Sequence, residues 1–156
     1  MEHEIEQEIK ILDIDESALV EKINEVGGKK RLETLMTIYS YDISDHKLSL
    51  NGLSDETRSV VECAFEYFKE NGSLIKNNAH LRLRSLSHAP DKAEFTLKYD
   101  ADSGDSNDVK AAHEYTCRMT EKDAIKLRDQ LKTVGLVAVA EHEKKRISYV
   151  LQNGCI

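Results

Sequence analysis

Long apolar runs are missing from this chain, and with them any segment able to cross a bilayer as a helix. The start, Met1-Glu2-His3-Glu4, has neither a basic region nor an apolar stretch, so no secretory signal is expected. Cysteine is scarce. Cys63, Cys117 and Cys155 are odd in number and widely spaced, which suits neither a disulfide framework nor a zinc motif. Reduced thiols in a cytoplasmic protein are expected. The histidines include no His-Glu-x-x-His, and His80, His88, His113 and His142 share no ligand spacing. Neither a glycine-rich phosphate loop nor a Gly-x-Ser-x-Gly elbow occurs. Cations are in deficit, 22 Lys and Arg against 29 Asp and Glu, for a net charge of −7. That balance argues against nucleic acid or an anionic membrane as partner and leaves room for a local basic pocket.

What is present is enough for one domain with a core. The chain has 156 residues, 40% of them hydrophobic and 33% charged. The stretch Glu4-Ile5-Glu6-Gln7-Glu8-Ile9-Lys10 alternates as a strand. Glu4, Glu6, Glu8 and Lys10 take one face, and Ile5, Gln7, Ile9 and Ile11 the other. Three carboxylates on one face repel one another unless water screens them or a cation binds them.

The rest of the chain alternates strands and helices. Asp15 can cap a helix carrying Leu19, Ile23 and Val26, stopped by Gly27-Gly28. A strand is expected over 35–43. Ser54 can cap a helix striped with Val60, Val61, Ala64, Phe65 and Phe68, ended by Asn71-Gly72. Strands are expected over 79–87 and 93–99, joined by a turn at His88-Ala89-Pro90-Asp91 that holds the only proline. An acidic loop over 101–108 precedes a strand over 113–119. Thr120 caps a helix with Leu127, Leu131 and Val134 on one face, and Gly135 ends it. A last strand is expected over 140–151. Met36 and Met119 read as core filler.

The chain repeats itself at an offset of 108. Glu6 maps to Glu114, Lys10 to Arg118, Leu19 to Leu127, Ile23 to Leu131, Gly27 to Gly135 and Tyr41 to Tyr149, without a gap. Strand, helix, glycine and strand occur twice, as in a pseudo-twofold architecture. The strands around 81–84 and 95–98 have no counterparts after Tyr149. The expectation is therefore a sheet incomplete at its C-terminal end, in a protein that continues past Ile156.

Alternate positions carry the chemistry. Arg82 and Arg84 oppose Leu81 and Leu83; Glu94, Thr96 and Lys98 oppose Phe95 and Leu97. Glu114, Thr116 and Arg118 oppose Tyr115, Cys117 and Met119, and Lys144 and Arg146 oppose Lys145, Ile147 and Tyr149. The apolar faces need cover, which helices can supply, so the charged faces turn inward together. Buried cations in excess of carboxylates suit a polyanion with a divalent metal: arginine forks grip phosphate oxygens, and Mg²⁺ takes one or two protein carboxylates.

These residues resemble a family. Glu6-x-Glu8-x-Lys10, Leu81-Arg82-Leu83-Arg84, Thr96-Leu97-Lys98, the Glu114 strand, and Lys144-Lys145-Arg146 with Tyr149 are similar to the CYTH domain of triphosphate tunnel metalloenzymes. That family includes thiamine triphosphatases, inorganic triphosphatases and class IV adenylyl cyclases. The resemblance covers nearly the whole of 1–156 as one domain, with a helical insertion at about 52–74. It implies an α+β fold, an antiparallel β-tunnel with helices outside, and hydrolysis of a triphosphate with Mg²⁺ or Mn²⁺. Glu6, Glu8 and Glu114 would be metal ligands. Lys10, Arg82, Arg84, Lys98, Arg118, Lys144 and Arg146 would hold phosphate, with Lys10 and Glu8 at the attacking water. Thr116 stands where the family often has a second acid. Cyclisation of ATP and a non-catalytic polyphosphate or nucleotide-binding module are the alternatives. A homodimer stays open.

Overall fold

The computed structural model describes residues 2–8, 15–43, 49–86, 92–100 and 110–151, with the backbone alone at 2–8, 110 and 111. Ile9 to Leu12 of the first strand, Lys10 included, lie outside the described residues. So do the 88–91 turn, the 101–108 loop and Cys155.

Each helix starts where a short polar side chain can accept from a backbone N–H. Asp15 accepts from Ala18 N at 2.9 Å and opens α1, Glu16–Glu25. Ser54 accepts from Thr57 N at 3.3 Å and opens α2, Asp55–Asn71. Thr120 accepts from Asp123 N at 3.2 Å and opens α3, Glu121–Thr133. The strands are β1 Glu2–Glu8, β2 Lys29–Ile43, β3 His80–Leu86, β4 Ala93–Asp100, β5 Lys110–Met119 and β6 Leu136–Val150. β2 begins six residues before the expected start, and β6 begins four residues before. Both run together: β2 pairs with β6 from Lys29↔Val150 to Ile43↔Leu136, so the charged residues at the start of β2 are held by its partner. Gly28 makes the close turn into β2. Its N–H donates to Ile23 O at 2.8 Å, and a Cβ there would lie 2.3 Å from Ile23 Cγ2.

All six strands form one antiparallel sheet in the order β1-β5-β4-β3-β2-β6. The α+β class and antiparallel sheet agree with the sequence reading. The tunnel is not closed, in line with the expected incomplete sheet: among the described residues β1 and β6 are edges that do not pair, so the sheet is an open trough. The repeat has a geometric counterpart. Ile5 sits opposite His113 and Met36 opposite Lys144, and each pair is separated by the same 108 positions as the sequence repeat. A local twofold relation thus passes between β1 and β5 and again between β2 and β6.

One face of the sheet is covered. Leu81, Leu83, Phe95, Leu97 and Cys117 pack with Val60, Val61 and Ala64 of α2 and Leu127 and Leu131 of α3. Tyr41 joins them by alternation, directly opposite Leu81 on β3. Its ring meets Phe95 edge-on at 6.5 Å, and burial pushes its hydroxyl pKa up to about 12. α1 departs from expectation. None of its residues is buried, so its apolar stripe does not serve as cover among the described residues. Met36 also departs: it is 5% exposed yet lies on the opposite face, where it lines the trough with Ile38.

Candidate functional site

The uncovered face forms a cavity of about 850 Å³, floored by strands β2 to β6. Its cations come from three of them. β3 supplies Arg82 and Arg84, β4 supplies Lys98, and β6 supplies Lys144 and Arg146. Alternation puts these side chains on one face, and the register aligns them in rows. Along one row Ile38, Arg84, Glu94 and Arg118 are successive partners. Along the next, Ser40, Arg82, Thr96 and Thr116 follow one another. A third runs His80, Lys98, Glu114 and Glu4. Opposite charges placed directly across a ladder, as at Glu94/Arg118 and Lys98/Glu114, favour this register.

The charges are partly spent on one another. Arg84 reaches Glu94 at 3.1 Å and Glu114 at 3.7 Å, and Arg118 reaches Glu94 at 3.5 Å. Thr116 donates to Glu114 Oε1 at 3.2 Å, and the Thr96 and Thr116 hydroxyls lie 3.2 Å apart. Thr96 is fully buried, so this hydroxyl pair satisfies polar groups that water cannot reach. Six described cations on this face (Arg82, Arg84, Lys98, Arg118, Lys144 and Arg146) stand with three described carboxylates, Glu94, Asp100 and Glu114.

Of the phosphate-binding candidates, the structure gathers Arg82, Arg84, Lys98, Lys144 and Arg146 around one cavity. Arg118 stands apart: its side chain is 59% exposed, bound to Glu94, and does not line the cavity. Lys10 lies outside the described residues. Lys145 and Ile147, assigned by alternation to the opposite face, also line the rim, because β6 is an edge strand and the cavity wraps around it. Lys145 is held there by Glu33, at 2.7 Å.

Of the metal candidates, Glu114 lines the cavity. Glu6 and Glu8 occupy register positions opposite Ala112 and Lys110, and Glu4 sits opposite Glu114. Ala112 lines the trough, so alternate positions of β1 belong to the trough face. Among the described side chains, no three carboxylates, imidazoles or thiols gather as a metal-binding group. The donor chemistry of four β1 and β5 carboxylate positions on one face nevertheless suits a hard divalent cation, and like charges opposite one another gain from one.

The sequence reading missed Glu94 as a site residue, although its place two residues before Thr96 had put it on the right face. It also missed Met36 and Ile38 on the floor, since apolar residues on a strand carry no signal for a polar cavity.

No protein-family model matches the chain, and no curated protein matches it. Its fold is similar to that of a Vibrio parahaemolyticus protein solved by X-ray crystallography at 2.25 Å and provisionally described as an adenylate cyclase. The TM-score is 0.53 at 10% identity, over 96% of this chain and 63% of that one. The chain thus spans less than two thirds of that protein's length. At this identity the likeness is one of fold. Fold and site together define the class: an α+β domain with an open antiparallel sheet whose uncovered face is a trough lined by paired and clustered charges.

Proposed function

We propose that the trough binds the triphosphate group of a small molecule together with a divalent cation, and hydrolyses it as a CYTH-type enzyme. The observation that supports this is the convergence of Arg82, Arg84, Lys98, Lys144 and Arg146 from three strands on one cavity. Arginine forks suit equatorial phosphate oxygens, and lysines add point charge along the chain of phosphates. Glu6, Glu8 and Glu114 would hold Mg²⁺ or Mn²⁺, whose charge would stabilise the transferring and leaving oxygens. Water would attack the terminal phosphorus, the bond from it to the bridging oxygen would break, the diphosphate portion would leave, and the attacked phosphoryl group would be released as phosphate. Glu8 and Lys10 are the residues proposed to place that water.

A second reading is cyclisation of ATP, in which the 3′-hydroxyl attacks and pyrophosphate leaves. The fold likeness to a protein provisionally described as an adenylate cyclase favours it. The sequence carries no adenine-reading motif that would add support.

One product assay separates these readings. The protein is incubated with inorganic triphosphate, thiamine triphosphate or ATP, with and without Mg²⁺. Metal-dependent phosphate release is the expected result. Cyclic AMP with pyrophosphate would replace hydrolysis by cyclisation, and saturable binding without turnover would make the domain a triphosphate binder.

A further inference from the structure

A second cavity, of about 370 Å³, lies in the seam between α2 and the ends of β4 and β5. Its walls are of opposite character to the trough. α2 presents Cys63, Glu66, Tyr67, Glu70 and Asn71, spaced three and four residues apart and hence on one stripe. β4 and β5 present Tyr99, Asp100, His113 and Tyr115.

Tyr99 is the centre of an aromatic group. Its ring lies 4.6 Å from Tyr67, 5.2 Å from His113 and 6.1 Å from Tyr115. The rings are fixed by their hydroxyls: Tyr67 OH donates to Asn77 O at 3.1 Å, and the Tyr99 and Tyr115 hydroxyls lie 3.4 Å apart. Burial raises both the Tyr99 hydroxyl and the Cys63 thiol above their ordinary ranges, so neither supplies negative charge at neutral pH. The charge comes from Glu66, Glu70 and Asp100, and among the described residues no Lys or Arg lines the cavity. Lys69, on the neighbouring turn of α2, is turned away over the Phe65 ring at 4.3 Å.

We propose that this cavity is a binding site for a small organic ammonium ion. The negative π-faces of Tyr67, Tyr99 and Tyr115 attract a cation in a way that neutral isosteres cannot match. The three carboxylates add charge of the sign that draws it in. The size suits an alkylated ammonium group rather than a large ligand. The site rests on neither the phosphate cations nor the proposed metal ligands, so it stands or falls independently of the triphosphate reading.

The test is a choline titration followed by two-dimensional NMR, with 3,3-dimethyl-1-butanol as the uncharged isostere and trilysine as a cation whose ammonium groups are not alkylated. Choline is expected to shift resonances of Tyr67, Tyr99 and Tyr115 saturably, and the isostere to leave them unmoved. Glu66→Gln with Glu70→Gln removes two exposed charges without touching the core, and should weaken choline about three- to tenfold. Tyr67→Leu should weaken it further while keeping apolar bulk. Equal binding of choline and its isostere would overturn the proposal. So would trilysine binding at the same residues without choline, which would make the seam a surface for basic segments, or no shift with any of the three probes.

Discussion

Arg84 is the side chain on which the trough's charge turns. It is shared by Glu94 and Glu114, so part of its attraction for an anion is already met within the protein. Arg118, similarly engaged by Glu94, is spent at the rim. This ordering yields a prediction about a residue that is not itself cationic. Glu94→Gln removes the nearer carboxylate and leaves Arg84 and Arg118 freer to meet phosphate. In metal-free buffer the affinity for inorganic triphosphate should rise about two- to fivefold, the size of one partly exposed ion pair. Calorimetric titration reads it directly. A lower affinity would mean that Glu94 contributes to the site rather than competing for it.

At the scale of elements, the caps, helix ends and strand alternation were legible because each is settled by neighbours a few residues away. Asp15, Ser54 and Thr120 cap as their spacing implies, and Leu81, Leu83, Phe95 and Leu97 face the core as alternation requires. What was not legible depends on distant partners. The early start of β2 comes from its pairing with β6, more than a hundred residues away. The exposure of α1 and the trough-side place of Met36 depend on what the third dimension brings near. Glu33 makes the β2–β6 pairing testable. It bonds Lys145 of β6 and Lys30 of its own strand, and these hydrogen bonds lower its carboxyl to about 2 from 4.5. A carboxyl lowered by folding stabilises the fold above its unfolded value and loses that effect as pH falls toward its folded value. The melting-temperature gap between the natural protein and Glu33→Gln should be complete above about pH 5 and shrink between 4.5 and about 2. A gap that stays constant to about pH 2 would remove Glu33 as a clamp between these strands.

For the whole molecule, the pseudo-twofold offset and the shared charged faces carried the fold class and five of the seven proposed phosphate ligands into one cavity. The faces were readable because a strand's period of two leaves no choice once the opposite side is apolar. The ion pairs that spend part of the charge were not, since they depend on long-range pairing. The central claim is that this face binds triphosphate through its cations. The most direct measurement is the affinity of inorganic triphosphate, with Mg²⁺ present, for the natural protein, Arg82→Ala and Lys126→Ala. Lys126 is an exposed α3 lysine bound to Asp123, far in character from the trough. Loss of one charge-assisted clamp should cost about 1.5–3 kcal/mol at Arg82, roughly ten- to a hundredfold in affinity, with no change at Lys126. Undetectable binding to the natural protein, or equal affinities for all three, would contradict the account.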